Sequence, residues 1–359
     1  MSDQPGSSPT FSLLRVLVLA LPIAVAAYAG ASWYKGDVQR DATDDLQKTT
    51  MKRMLGSQDS QLRLSDRFED ADGDLLADAP QDDAQLVDPD EIVFSYVAST
   101  AADENGAAWQ DLLDALSQKL GKPVKYQRFT DPAEQLRALK GGELHIAAFS
   151  TGETPTAVNS AGFIPVCVPG DADGNFGYTM QIIVPAGSDI KKPADIRGRR
   201  MTFTRPNSNS GYKAALVLLL DEDDLAPERD YSWGFSFGHE QSIKRIAAKE
   251  YEAAAVAGDI LKRMIAAGDV DADAVTSIYE SERFPPGALG YVYNLKPELR
   301  DGIAETLTGY EFAGTGLEAE FGGSGGTKFV AVNYKDDWDN VRRIDAAVAK
   351  TKAELAGAN

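Results

Sequence analysis

The chain is 359 residues long, room for about two folded units at ~100–200 residues per domain. Its 43% hydrophobic and 25% charged residues are those of an ordinary globular protein, yet 55 acidic against 36 basic side chains leave a formal net charge of −19 and no Lys/Arg-rich run to follow nucleic-acid phosphates. One cysteine, Cys167, and two histidines, His145 and His239, exclude an intramolecular disulfide and any Cys- or His-rich metal cluster.

The charge divides the chain into three blocks. Residues 1–55 carry a net charge of +1, residues 56–90 a net −9, and residues 91–359 a net −11. Between 11 and 34 the only charge is Arg15, and 16–31 has none. A helix over 11–34 would span a hydrocarbon core of about 30 Å, with Trp33 and Tyr34 at the interface. The expectation for residues 1–35 is a transmembrane anchor, or else a cleaved secretory signal with Ala27-Tyr28-Ala29 as its small-x-small site. Either way the bulk of the protein leaves the cytoplasm.

Residues 36–90 read as an acidic polar linker, too poor in apolar side chains to fold alone. Inside it, Asp70, Asp72, Asp74 and Asp78 occupy relative positions 1, 3, 5 and 9, a spacing that resembles a weak calcium loop. Leu75 stands where the turn glycine normally lies, and no glutamate closes the loop. A solvated acidic tether is the alternative.

From about Glu91 the texture is α/β. Residues 92–98 read as a strand, 109–120 as a helix with apolar residues at 109, 112, 113, 116 and 120, and 124–129 as a second strand. Asp131-Pro132-Ala133-Glu134 predicts a capping box opening a helix to about Lys140. Gly141-Gly142 ends it, and 144–149 forms the third strand. The rhythm returns as strand 200–204, helix 210–220, strand 231–235, helix 240–248, strand 253–256 and helix 259–267, and an amphipathic helix over 333–356 closes the chain. Alternation with such short connections predicts parallel sheets covered by helices. The Gly-rich stretch 170–177 would separate two lobes with a cleft between them.

Three turns concentrate polar groups between a strand and a helix: 206–212 with Asn207, Ser208, Asn209, Ser210 and Gly211; 236–240 with His239; and 257–259 with Asp259. A helix N-terminus leaves N–H groups unpaired and carries roughly half a positive charge, so the first turn could cradle an anion. Each turn could equally be a plain helix cap. Their equivalent position at the carboxyl ends of successive strands is the more informative fact, since ligands bind there in α/β sheets. Cys167, between Val166 and Val168, reads as a buried small hydrophobe.

Taken together, these residues resemble the substrate-binding proteins of phosphonate, phosphite and phosphate ABC importers. The motifs are strand 94–99 with Ser99 and Thr100, Leu144-His145-Ile146-Ala147, Gly177-Tyr178, the turn 194–199, Ser208-Asn209-Ser210-Gly211, and Gly238-His239-Glu240. Order and spacing agree over roughly 250 residues. The resemblance implies a two-lobed type II periplasmic-binding-protein fold of class α/β, with lobe 1 built from 91–178 plus 285–359 and lobe 2 from 179–284. It implies that Ser208, Asn209, Ser210 and Gly211 hold the phosphorus-bound oxygens and that His239 donates to the same group. Asp259 would lie near the far end of the ligand. Tyr96, Ser99 and Thr100 would close from the opposite lobe. Asn209 replaces a hydroxyl residue of the family, and Phe149 replaces a tyrosine, with Ser150 and Thr151 available as substitutes. The implied function is a non-enzymatic extracytoplasmic receptor that needs no cofactor and delivers a small anion to an ABC permease and its ATPase. It would be held in the cytoplasmic membrane by 11–34. The alternative is a membrane-tethered sensor or scaffold on the same fold. No nucleophile–base pair stands out for an enzyme.

Overall fold

The computed structural model describes residues 62–96 and 106–357. Residues 11–34, Ser99 and Thr100 lie outside the described residues, and so do the anchor and signal expectations. Among the described residues no helix is long and apolar enough to cross a membrane.

The first sheet begins with β1 (Ile92–Tyr96), whose Ile92 and Phe94 are fully buried. Helix α1 (Gln110–Leu120) follows a 3-10 turn and buries Leu112, Leu113 and Leu116, the stripe read from the sequence. Then come β2 (Val124–Tyr126) and α2 (Pro132–Gly141). Asp131 caps α2 by accepting from the Ala133 N–H, Pro132 occupies the first turn, and left-handed Gly142 ends it. β3 (Ile146–Phe149), α3 (Thr154–Ala161) and β4 (Phe163–Gly170) complete this run. Cys167 lies on β4, buried and unpaired, and burial pushes its thiol pKa up.

The chain then crosses to the second sheet. Its elements are β5 (Tyr178–Pro185), β6 (Arg200–Phe203), α4 (Ala214–Asp221), β7 (Ser232–Phe235), α5 (His239–Ala247), β8 (Ala253–Ala257), α6 (Gly258–Ala266) and β9 (Val275–Phe284). β8 is buried along its whole length, as the unbroken run Ala253-Ala254-Ala255-Val256-Ala257 dictates. Its core companions are Ile183, Ile243, Ile246, Leu261 and Met264. The chain returns through β10 (Ala288–Val292) to the first sheet, adding α7 (Pro297–Thr308), α8 (Gly316–Phe321), β11 (Lys328–Ala331), α9 (Tyr334–Asp337) and α10 (Asp339–Gly357).

The strand orders are β11-β4-β10-β3-β1-β2 and β7-β6-β8-β5-β9. The sequence predicts parallel sheets, and both sheets are in fact mixed. β1 pairs parallel with β2 and β3, and β6 parallel with β7 and β8, but β10 is antiparallel to β3 and β4, and β5 is antiparallel to β8 and β9. The reason is connectivity. β4 into β5 and β9 into β10 are direct passages between sheets, with no helix to turn the chain, so they enter each sheet against the prevailing direction.

Within the stretch read as linker, residues 65–90 pack on the first sheet. Phe68 meets Tyr293 edge to face at 4.9 Å, the Ser65 N–H donates to the Asn159 carbonyl at 2.9 Å, and Asp88 binds Lys122 and Lys296. The compositional argument concerned folding alone; this segment orders against a surface already present. Its Asp70, Asp72 and Asp74 carboxylates lie within 4.8 Å of one another, and Asp78, outside that group, accepts from the Ala71 N–H at 2.8 Å.

A buried ion pair ties the last helix to the second sheet. Lys213, at the end of the π-helical turn Asn209–Lys213, meets Asp345 of α10 at 2.7 Å, with the residues 7% and 5% exposed. The same ammonium donates to the Gly152 carbonyl at 2.7 Å. Lys213→Met should cost about 3–5 kcal/mol by stranding Asp345, and Lys213→Met with Asp345→Leu should recover most of that loss. Urea denaturation checks this: a double variant no more stable than the single one contradicts it.

Candidate functional site

A cavity of about 720 Å³ opens between the two sheets, at the carboxyl ends of β6, β7 and β8. The first turn leaves β6 at Phe203 and enters the π-helical turn at Asn209. Ser208 is its N-cap, its Oγ accepting from the Gly211 N–H at 3.0 Å. Position 211 admits only glycine, since a Cβ there would stand 1.8 Å from Thr204 Oγ1. The chain thus folds back on β6 and points Asn209 and Ser210 into the cavity.

The second turn brings in His239, the first residue of α5. Its Nδ1 accepts from the Ala257 N–H at 3.0 Å, so in the neutral ring the proton sits on Nε2. Burial, reinforced by the nearby Arg205 charge, lowers its pKa to about 4 from an ordinary 6.5. Nε2 stands 3.3 Å from Ser208 Oγ. With N–H groups of Gly211 and His239 both aimed at that oxygen, the Ser208 hydroxyl hydrogen is left to donate into the cavity.

The third turn carries Asp259 on the first turn of α6. Its Oδ1 is buried with no hydrogen-bond partner among the described residues. Burial raises its carboxyl pKa, opposed by the N–H groups of Ile260 and Asp259 and by Arg263. Asn209 is 2% exposed, and neither Oδ1 nor Nδ2 completes a hydrogen bond among the described residues.

The first sheet contributes turn 150–153, after β3. It docks directly on turn 207–209: a Cβ on Gly152 would lie 2.3 Å from the Asn207 carbonyl and 2.8 Å from the Asn209 nitrogen. Glu153 holds both turns, accepting from the Ser150 hydroxyl at 2.7 Å and from the Asn207 amide. Burial raises the Glu153 pKa against those bonds. Thr151 donates to the Pro285 carbonyl at 2.7 Å, and its own carbonyl accepts from Trp338 Nε1 at 3.1 Å.

Of the residues singled out from sequence, Ser208, Asn209, Ser210, His239 and Asp259 line this cavity from the second sheet. Tyr96, Ser150 and Thr151 line it from the first. Gly211 shapes the turn from behind. Three participants were missed. Tyr178, the first residue of β5, places its buried hydroxyl beside Thr151, Ser210 and Asn209, whose polar groups oppose the upward pull of burial on its pKa. The Gly177-Tyr178 motif was its only signal. Glu153 and Lys213 gave none, because their roles depend on contacts with the other sheet.

Residues 94–338 match the family described as the periplasmic substrate-binding protein of phosphonate ABC transporters. Among solved structures, the chain is similar to a binding-protein component of an ABC phosphonate transporter from Pseudomonas aeruginosa. The identity is 18% and the TM-score 0.59, over 75% of this chain and 99% of that one. It is similar to PhnD1 from Prochlorococcus marinus, solved in complex with methylphosphonate, at 13% identity and a TM-score of 0.62, over 73% and 100%. A Xanthomonas citri protein solved bound to ATP matches at 13% and 0.60, over 72% and 100%. These likenesses carry the fold, a two-lobed α/β binding-protein architecture.

The His239 environment yields a signed expectation. The unfolded chain binds a proton near pH 6.5 and the folded chain only near 4, so the contribution is full above pH 6.5 and is lost as pH falls through this window, by roughly 3 kcal/mol. Urea denaturation of the protein and of His239→Gln across that range should show the difference shrinking with acidity. A constant difference would contradict a neutral buried ring.

Proposed function

The chain belongs to the family of periplasmic substrate-binding proteins of phosphonate ABC transporters, and from that premise we propose that it captures a phosphorus oxyanion (phosphonate, phosphite or phosphate) in the cleft for delivery to an ABC permease and its ATPase. The observation that carries this reading is Asn209. A side chain 2% exposed, with both polar atoms unmatched among the described residues, is costly unless a ligand matches them. It sits at the start of a helical turn beside the Ser208 hydroxyl, whose hydrogen the Gly211 and His239 N–H groups leave free to point inward. A compact oxyanion meets that set of donors.

In this reading Ser208, Asn209 and Ser210 hold the oxyanion, His239 orients the Ser208 hydroxyl toward it, Asp259 faces it from α6, and Tyr96, Ser150, Thr151 and Tyr178 close the far wall. The lobes are 91–178 plus 285–359 and 179–284, moving about the passages at 170–178 and 284–288. Membership of a periplasmic family makes the protein extracytoplasmic; anchorage in the cytoplasmic membrane through 11–34 is our further reading, supported by the uncharged run 16–31.

The same imidazole argues for binding without catalysis. In a hydrolytic pair the base nitrogen facing serine must be bare. Here the Ala257 N–H occupies Nδ1, so Nε2 carries the hydrogen and cannot take one from Ser208.

Isothermal calorimetry against phosphate, phosphite, methylphosphonate and 2-aminoethylphosphonate tests the assignment; no binding to any of them would refute it. Ser210→Ala and His239→Ala should each weaken the bound anion by ~1–3 kcal/mol. Unchanged affinity in both would move the site elsewhere.

A further inference from the structure

Between α8 and β11 the chain runs through Gly322-Gly323-Ser324-Gly325-Gly326, four glycines and one serine. Residues 322–325 are exposed to solvent, and Ser324 and Gly325 also line the cavity. At this place the wall between the chamber and the outside is a single thickness of chain.

The base of the segment is pinned. Phe321 sits in an aromatic cluster, its ring centre 5.3 Å from that of Phe312 and 6.0 Å from that of Trp109. The Phe321 carbonyl accepts from the Gly326 N–H at 3.0 Å and from the Ser324 hydroxyl at 2.9 Å, which draws the two ends of the segment into a neck. A Cβ on Gly326 would stand 2.9 Å from the Phe321 Cβ, so the neck closes only on glycine. Just beyond it, the Thr327 N–H donates to the Gly170 carbonyl at 2.8 Å. The tip is held far less. Its short 3-10 turn, Gly322–Ser324, packs on α6 across the mouth of the cleft. Gly323 lies on the Arg263 stem there, where a Cβ would come within 3.3 Å of the Arg263 Cγ, and Arg263 is itself held by Glu240 of α5 at 3.0 Å. Ser324 has the one side chain of the tip, and its hydroxyl is turned back to Phe321. The seat is therefore bare backbone on an arginine stem, a contact that breaks at small cost.

Resting on the reading of the cleft as a phosphorus-oxyanion site, we propose that residues 322–325 are a flap that gates the chamber, lifting off Arg263 to let a ligand pass and settling back behind it. Rotations at Gly322, Gly323 and Gly325 are enough to move the tip while the neck stays closed, because glycine carries the lowest barrier to such changes. Gly325 already takes a left-handed φ of 92°. The flap moves independently of the passages at 170–178 and 284–288, so it opens with the two sheets in place. It sets how fast ligand enters and leaves, and the polar turns set how tightly it is held.

Stopped-flow mixing of the full chain with methylphosphonate tests this, because a gate outside the binding contacts scales entry and exit alike. Gly322→Ala puts a methyl group into open space, 4.0 Å from the Glu318 Cγ, and takes freedom mainly from the lifted flap. It should slow association and dissociation together by about two- to fivefold. Gly323→Val presses on the Arg263 stem and should speed both by at least about threefold. In each variant the ratio of the two rates, and so Kd, should stay within about twofold of the unsubstituted chain. Unchanged rates in both variants would leave residues 322–325 a passive wall and overturn the proposal. A Kd that moves with one rate alone would make them part of the binding surface and overturn it equally. Failure of the unsubstituted chain to bind methylphosphonate at all overturns the oxyanion reading, and the gate with it.

Discussion

The parallel alignment of β6, β7 and β8 is the constraint from which the site follows. Because the three strands share one direction, the chain leaves each at the same edge and starts a helical turn there. Three polar turns then line one chamber. β5 runs the other way, β9 runs with the three but passes directly into β10, and neither contributes a helix start. Their work is to join the sheets, and Tyr178 reaches the chamber only because it is the first residue after that passage. The backbone also sets the side-chain chemistry. The Ala257 N–H belongs to the last residue of β8, and its bond to His239 reaches across the sheet from one strand end to the next turn.

In the reading proposed above, capture relies on short-range donors. The folded body is acidic, with a net charge of −11 over residues 91–359, so its long-range field does not draw anions in. Recognition instead rests on atoms within hydrogen-bond distance, in a chamber where burial makes each of them count for more. This explains why the same pocket tolerates Glu153 and Asp259. Glu153 spends its oxygens on Ser150 and Asn207 and so serves the architecture of the turns, whereas Asp259 keeps one oxygen unmatched.

Much of this was legible before any coordinates. Local signals named α1 through its apolar stripe, α2 through Asp131 and Pro132, and the three polar turns through their place between strand and helix. What escaped was whatever depends on distant partners. The antiparallel entries of β5 and β10 are decided by the two passages between sheets, which leave no periodic mark. The acidic stretch around Phe68 looked unable to order because its packing partners, Tyr293 and Asn159, lie more than ninety residues away in sequence. Lys213 and Glu153 carry no local signal in the sequence. Only the docking of turn 150–153 on turn 207–209 shows that Lys213 is buried and that both side chains are shared between the turns.

The ammonium of Lys213 has a consequence for how the protein is made. It lies just behind the cradle and finds its carboxylate on α10, the last helix of the chain. During synthesis the N-terminal end comes first, so β6 and its turn are present long before Asp345 is. Until that helix docks, a charge meant for the interior has no counter-ion, and the turn that bears Asn209 and Ser210 lacks its backing. The receptor is therefore finished from its tail. A chain shortened before Asp345 would contain every described residue that lines the chamber and still lack the support that sets them in place.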